Sequence, residues 1–263
     1  MVTNFATSLA DRSKVLRAVA CFGDRYSREF LSCTYLKRES LEKDWWGGLQ
    51  LFLGHSFHQG RTDEVSEKVR RAAMPVLSLY FEKEDPDRIR FTDFGQLKAD
   101  LGAKIGKRKI GKGRDVEMLV SIFEFVSLLH EKNLTLYGLG KLRGGGLADH
   151  YRELQGIRQI GPKVASFYLR DLVCIYDIHG LLQPDDLRFL QPIDVWVRRV
   201  AQRLGIITAE NCPDDEVRQH IIDACKQCGV SAFKFNQGAW YLGKNAFRIL
   251  VEQLEKVIPD EQG

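Results

Sequence analysis

An amine and an aromatic ring lie four residues apart at the expected start of a helix. Lys163 follows Pro162 directly, and Phe167 comes one helical turn later. Proline at a first helical position costs no hydrogen bond, so the pattern predicts a helix that begins at Pro162. Residues four apart share one helix face, so the amine and the ring are expected to point to the same side. Because the first turn of a helix disfavours a cation, some other group is expected to hold Lys163.

A tight turn is expected just before this helix, after a first helix at about residues 147–154. Gly161 is expected to adopt backbone angles that are closed to other residues, which would turn the amides around it outward. Outward N–H groups beside a helix N-terminus bind anions, and a nucleic-acid phosphate is the most frequent of these. In the alternative interpretation, Lys163 only contacts a phosphate and Phe167 only packs in the core.

A carboxylate precedes the next predicted helix. Asp194 follows Pro192 and Ile193 and stands before apolar residues at helical spacing. An aspartate in this position is typical of an N-cap, whose side chain accepts hydrogen bonds from the first amides of the helix. A capping carboxylate is held rigidly, so the cap is compatible with a second, electrostatic role.

The hairpin, the connection that follows it and Asp194 together resemble the signature of the helix-hairpin-helix DNA glycosylases. This superfamily contains endonuclease III, the adenine glycosylase and the 8-oxoguanine glycosylases. The resemblance is most specific over residues 147–205 and weaker over 45–75 and 233–250. It implies that Lys163 occupies the position of the nucleophile of bifunctional members, and Asp194 that of the catalytic carboxylate.

Two departures from the common pattern indicate an unusual branch. The connection between Lys163 and Asp194 is longer than in the better known branches. Val195 and Trp196 follow the aspartate where many members have His or Thr-His. The long connection is most similar to that of an archaeal type of 8-oxoguanine DNA glycosylase without an iron-sulfur cluster.

The resemblance also implies a pocket for a base that has left the DNA stack. Phe167 and Trp240 are expected to form the aromatic slot, and Asn236 or Gln237 to bind the base edge. Gln59 is the favoured residue to fill the vacated space in the duplex. His58 and His55 compete with Gln59 for that role. The alternatives are core packing for the late helix and an ordinary surface loop around Gln59.

The implied activity is base-excision DNA repair by a bifunctional DNA glycosylase and AP lyase. Lys163 would attack C1′ of an oxidised nucleotide, with 8-oxoguanine favoured, and form a Schiff base that β-eliminates. Asp194 would stabilise the positive charge that develops on the sugar. One alternative is a monofunctional glycosylase that directs water at alkylated or mismatched bases. Another is a non-catalytic helix-hairpin-helix module that only grips DNA.

The implied fold is all-α, with two helical lobes, a DNA-binding cleft between them and the helix-hairpin-helix motif at its edge. Residues 46–174 are expected to form the central lobe, and residues 1–45 with 175–263 the lobe that carries Asp194. Local patterns predict helices over residues 8–21 and 116–129. Alternation at Ile89, Phe91 and Phe94 suggests an extended segment, and the glycines of residues 138–146 predict a mobile link.

The chain is mildly basic, with a net charge of +4 and a pI near 8.7. Residues 104–114 contain six basic residues and no acid, which is typical of a segment that contacts a phosphate backbone. The alternative is a solvated loop. Damaged double-stranded DNA is therefore the expected partner of a monomer. The candidate DNA contacts are Gly161, Lys107, Arg108, Lys109 and Lys112.

Six cysteines occur without a secretory signal, which predicts reduced thiols in a cytoplasmic or nucleoid-associated protein that is neither secreted nor in a membrane. Cys225 and Cys228 form a lone pair with CxxC spacing, too few for the four-cysteine cluster of some relatives. We therefore expect no iron-sulfur cluster. The resemblance implies at most a structural Na⁺ or K⁺ at the hairpin, held by the backbone carbonyls of Gln155, Ile157 and Ile160.

Overall fold

The chain is all-α wherever the structure describes it. The computed structural model describes residues 9–31, 38–82, 85–105, 113–209 and 211–257, and no strand occurs in these ranges. Within them lie twelve α-helices: α1 (Leu9–Arg25), α2 (Arg38–Lys43), α3 (Trp45–Ser56), α4 (Asp63–Phe81), α5 (Phe94–Ile105), α6 (Arg114–Leu128), α7 (Leu134–Arg143), α8 (Leu147–Gly156), α9 (Pro162–Tyr176), α10 (Val195–Arg203), α11 (Asp214–Gln227) and α12 (Ala232–Val257).

The helices fall into two compact units. Residues 35–190 form the central unit, and residues 1–34 with 191–263 form the terminal unit. The central unit therefore contains α2 to α9 and is continuous in sequence. The terminal unit combines α1 with α10, α11 and α12, so a helix from the N-terminal part of the chain folds with helices from its C-terminal part.

Two largely buried helices form the core of the central unit. Ten of the twelve residues of α3 and eleven of the fifteen of α9 are buried. A helix that is covered on nearly all sides belongs to a core, and α9 packs against α3, α7 and α8. Asp44 is the N-cap of α3, and its side chain accepts the N–H of Trp46 at 3.0 Å.

The segment that contains Ile89 and Phe91 is helical, so the expectation of an extended run was wrong. Pro86–Phe91 is a 3₁₀-helix, and the Asp85 carboxylate accepts the N–H of Asp87 at 3.0 Å. Proline and a capping aspartate are strong local signals for a helical turn, and they outweigh a short alternation of apolar residues. Ile89 is buried, whereas Phe91 is 86% exposed.

The expected mobile link over residues 138–146 was also wrong for most of its length, because α7 continues to Arg143. Gly138 lies inside this helix at a close approach. A Cβ added there would lie 2.9 Å from Leu172 Cδ2 and 3.0 Å from His150 Nε2. The residue therefore has to be small so that α7 can pack against α8 and α9.

Close helix packing also defines the terminal unit. The long helix α12 packs along α1, and a Cβ at Gly238 would lie 1.9 Å from the carbonyl oxygen of Val19. Such a distance excludes any side chain at this position, because the two backbones are in contact. The same helix contacts α10, where Trp196 lies against Gly243.

Several helices that the sequence predicts are confirmed. They are the helix over residues 8–21, seen as α1, the helix over 116–129, seen as α6, and the helix that begins at Pro162, seen as α9. Among the described residues, no helix is both long and apolar enough to cross a membrane.

Candidate functional site

Residues 157–161 connect α8 to α9 through a tight turn. The N–H of Ile157 donates to Leu154 O at 3.1 Å, and the N–H of Ile160 donates to Ile157 O at 3.0 Å. Ile157 and Ile160 are buried and anchor the turn, while Ser121 of α6 accepts the N–H of Arg158 at 3.1 Å. Two buried side chains and a hydrogen bond to α6 therefore fix the turn.

The backbone of the turn differs from the expectation in one respect. Gly161 is extended, with φ −92° and ψ 177°, a conformation that any residue adopts. The positive φ of the turn, 66°, belongs to Gln159 instead. No atom lies within 4 Å of a Cβ placed on Gly161, so the fold itself does not require glycine there. Gly161 also offers no capping side chain to the first amides of α9.

Lys163 is half-buried in the first turn of α9. Its Nζ donates to the backbone carbonyl oxygen of His58 at 3.1 Å. This neutral acceptor offsets the unfavourable position of a cation at a helix N-terminus. Within the described residues of the central unit, Lys163 forms no ion pair with a carboxylate. The amine is therefore fixed in position without an anionic partner from its own unit.

The loop that supplies this carbonyl follows α3 and is itself fixed. Gln59 Nε2 donates to Met118 Sδ at 2.8 Å, and His58 Nδ1 lies 3.3 Å from Asp63 Oδ1. Arg61, which the sequence analysis missed, donates to Phe57 O at 2.9 Å and to the Asp115 carboxylate at 2.8 Å. His58 and Gln59 thus lie in the loop whose carbonyl contacts Lys163, and both remain partly exposed.

Phe167 is only 8% exposed and packs within the central unit. The ring of His55 meets it edge-on, with centroids 5.0 Å apart, and the Arg170 guanidinium lies 4.4 Å from its centroid. His55 Nε2 in turn lies 2.8 Å from Asp171 Oδ2. The only sequence signal for this cluster was the adjacent pair Arg170 and Asp171 in an otherwise apolar helix.

Asp194 belongs to the terminal unit and caps α10, as the sequence predicts. Its Oδ1 accepts the N–H groups of Trp196 and Val197, both at 2.9 Å. Two side chains hold the backbone just before it. Arg218 of α11 donates to Gln191 O at 3.0 Å, and Asn236 of α12 donates to Pro192 O at 3.2 Å.

The three candidate base-binding residues of α12 are buried in the terminal unit. Trp240 packs against Tyr26 and Phe30, with ring centroids 5.4 and 5.1 Å apart, and is 8% exposed. Asn236 and Gln237 are 0% and 1% exposed. Among the described residues, Gln237 Nε2 has no hydrogen-bond partner, whereas Asn236 Nδ2 is bonded to Pro192.

The basic run of residues 104–114 is described only at its two ends. Lys104 is exposed in the last turn of α5, and Arg114 is exposed at the start of α6. The candidate DNA contacts in this run lie outside the described residues: Lys107, Arg108, Lys109 and Lys112.

The resemblance assigns three backbone carbonyls near the turn to a monovalent cation. Ile157 O accepts the N–H of Ile160, and a carbonyl oxygen has a second lone pair for a ligand. Gln155 lies in the last turn of α8, and Ile160 precedes α9 by two residues. In the ranges that the structure describes, no three His, Cys, Asp or Glu side chains group as metal ligands, and Cys225 and Cys228 are buried.

Comparison with known proteins gives little similarity. No protein-family model matches the chain, and no solved structure matches it. Over 74 residues the chain is 39% identical to an uncharacterized protein of Methanocaldococcus jannaschii. This similarity covers 27% of the chain and 16% of that protein, so the chain spans a small part of its length.

Proposed function

We propose that the protein is a bifunctional DNA glycosylase and AP lyase of the helix-hairpin-helix type, which removes an oxidised base, with 8-oxoguanine favoured. One observation carries the proposal: Lys163 is a half-buried amine at a helix N-terminus, held by the His58 carbonyl and not by a carboxylate of its own unit. A carboxylate partner would stabilise the protonated amine, which has no lone pair for nucleophilic attack.

In the proposed reaction, Lys163 Nζ attacks C1′ while the bond from C1′ to the base nitrogen breaks. The base leaves with the bonding electron pair and takes up one proton of the amine. The second amine proton passes to O4′ as the deoxyribose ring opens, which leaves a Schiff base between C1′ and Nζ. Loss of a proton from C2′ then expels the 3′ phosphate by β-elimination. Asp194 stabilises the positive charge that develops on the sugar.

The base pocket is proposed from the aromatic and amide groups. Phe167 and Trp240 are proposed as the aromatic partners of the flipped base. Gln237 is proposed to bind the base edge in preference to Asn236, because among the described residues its Nε2 has no hydrogen-bond partner, whereas Asn236 Nδ2 is bonded to Pro192. Gln59 fills the gap in the duplex, with His58 as the neighbouring candidate. The position of Gln59 in the loop that holds Lys163 supports this assignment.

The proposed contact with the DNA backbone lies at the turn before α9. The open space around Gly161 allows a phosphate to approach the backbone, and the first amides of α9 receive no side-chain cap. The carbonyls of Gln155, Ile157 and Ile160 would hold a monovalent cation, which supplies charge for a phosphate contact. Lys107, Arg108, Lys109 and Lys112 contribute attraction to the phosphate backbone.

Borohydride trapping tests the proposal directly. The protein is incubated with a labelled duplex that contains 8-oxoguanine, and borohydride is added to reduce a Schiff base to a stable adduct. We expect an adduct with the wild type, none with Lys163→Ala, and an unchanged adduct with Lys98→Ala, which removes an exposed lysine of α5.

The other outcomes identify the alternatives. Base release without an adduct would replace the lysine mechanism by attack of water, as in a monofunctional glycosylase. Binding without either reaction, across a panel of oxidised, alkylated and mismatched bases, would leave a non-catalytic DNA-binding module. An adduct that persists in Lys163→Ala would assign the nucleophile to another amine.

A further inference from the structure

Three ionisable side chains are buried together in the central unit, and two of them lie about two helical turns after Lys163 on α9. Arg170 and Asp171 of α9 are both 0% exposed, and His55 of α3 is 3% exposed. Asp171 Oδ1 accepts Arg170 Nε at 3.1 Å and Nη2 at 3.0 Å. Asp171 Oδ2 lies 2.8 Å from His55 Nε2. Lys163 and Asp171 are two helical turns apart on α9, with Phe167 between them, so all three share one face.

The hydrogen bonds of His55 occupy both ring nitrogens. Nδ1 lies 2.7 Å from the carbonyl oxygen of Leu51, and Nε2 lies 2.8 Å from Asp171. A backbone carbonyl only accepts, so the first contact contains a hydrogen on Nδ1. The second contact pairs Nε2 with the carboxylate of Asp171. The ring is therefore held at two points and cannot rotate without breaking one of them.

This cluster lies at the helix end that supplies the partner of Lys163. His55 is in the last turn of α3, and its carbonyl oxygen accepts the N–H of His58 at 3.2 Å. His58 O then accepts Lys163 Nζ at 3.1 Å. The end of α3 is thus joined to α9 twice, by the side chains of His55 and Asp171 and by the contact with the amine.

Stability alone does not account for three buried ionisable groups. An apolar cluster of similar volume is often as stable as a buried ion pair, because burial removes each charge from water. What such a cluster supplies is a fixed geometry, since its short directional bonds tolerate little displacement. Here the geometry that it fixes is that of the α3 end relative to the first turns of α9.

We propose that His55, anchored by Asp171, is a positioning residue for Lys163. It holds the end of α3 so that the His58 carbonyl accepts one hydrogen of the amine and orients its lone pair. The inference rests on the proposed role of Lys163 as the nucleophile. Neither His55 nor Asp171 needs to touch the DNA.

The test compares two substitutions of His55. His55→Gln keeps a side-chain amide that can donate to Asp171, whereas His55→Leu removes both hydrogen bonds. The leucine variant leaves the ion pair of Arg170 and Asp171 in place, so no buried charge loses its counterion. Circular dichroism reports folding, and His55→Phe replaces the leucine variant if that variant does not fold.

Two quantities are measured for each variant: the single-turnover rate of borohydride trapping at saturating protein, and the Kd for the same duplex. We expect His55→Leu to lower the trapping rate by about 100-fold at an unchanged Kd, the loss typical of a misplaced reactive group. His55→Gln is expected to restore most of the rate. A folded leucine or phenylalanine variant that traps at the wild-type rate would overturn the proposal.

A DNA-independent readout separates this inference from the proposed function. The rate at which acetic anhydride labels Lys163, relative to exposed Lys98, is measured by mass spectrometry. We expect the relative rate to change in His55→Leu and to return towards wild type in His55→Gln. If the wild type traps no DNA, the proposed function fails while this measurement still tests the positioning. An unchanged relative rate in a folded leucine variant would refute it.

Discussion

The N-cap of Asp194 and its proposed catalytic role can be separated by substitution. One carboxylate oxygen accepts both amides at the start of α10, so the residue holds the helix end and is held by it. Arg218 and Asn236 donate to the carbonyls of Gln191 and Pro192, three and two residues before it. The charge of the carboxylate is not needed for the cap, because asparagine and aspartate are equally good N-caps.

We predict that Asp194→Asn leaves stability within about 0.5 kcal/mol of the wild type, because the amide oxygen accepts the same hydrogen bonds. The same variant should lower the rate of base excision at least about 100-fold, since it removes the charge opposite the sugar cation. Asp194→Ala should lose the rate and also about 1 kcal/mol of stability. Urea unfolding and single-turnover excision measure the two effects, and full activity in the asparagine variant would reduce Asp194 to a cap.

At the scale of the helices, His150 of α8 lies where α7, α8 and α9 meet. The side chain is fully buried, its Nδ1 lies 3.3 Å from Glu153 Oε2, and Tyr137 packs edge-on against the ring. Its Nε2 has no hydrogen-bond partner among the described residues. Burial lowers the pKa of His150 from 6.5 to about 4, because a proton on Nε2 would be buried without an acceptor.

This pKa shift predicts that the protein loses stability in mild acid. Between pH 6.5 and about 4 the unfolded chain binds a proton at His150 that the folded chain does not, so the free energy of unfolding falls as the pH is lowered. The loss has an upper limit of about 3 kcal/mol. It is absent above pH 7, where His150 is neutral in both states.

His150→Asn isolates this contribution, because asparagine keeps a donor for Glu153 and does not titrate. We expect the free energy of unfolding of the variant to fall less steeply than that of the wild type between pH 6.5 and 4. Urea titrations across the pH range measure both slopes. Equal slopes for the two proteins would mean that His150 does not carry the acid sensitivity.

At the scale of the whole molecule, the proposed DNA binding depends on where the basic residues lie more than on the net charge. The net charge is only +4, yet six basic residues and no acid occupy residues 104–114. Arg114 at one end of this run and Lys104 at the other are exposed. Each phosphate that such residues neutralise releases a bound counterion, which makes the affinity fall with salt.

Replacing Lys107, Arg108, Lys109 and Lys112 by alanine should therefore weaken DNA binding and flatten its salt dependence. The slope of log K against log salt is expected to decrease by up to about 0.9 for each phosphate that the variant no longer neutralises. The control removes four exposed basic residues elsewhere: Lys14, Arg17, Lys98 and Lys226. The same slope change in both quadruple variants would show that only net charge matters.

The sequence by itself determined the features that depend on neighbouring residues. Pro162 at a first helical position predicted where α9 begins. Asp194, an N-cap before apolar residues at helical spacing, predicted where α10 begins. Both signals act within one helical turn, so they survive whatever packs around them. The all-α class was expected from the resemblance, and the helical spacing of apolar residues over 8–21 and 116–129 agreed with it.

Tertiary structure decided what depends on contacts between distant residues. Gly138 was expected in a mobile link, yet it lies inside α7, where Leu172 and His150 leave no room for a larger side chain. The partner of Lys163 is a carbonyl 105 residues away, and His55 and Asp171 are 116 apart. Helical spacing shows which face a residue occupies, but packing alone brings that face against a particular partner.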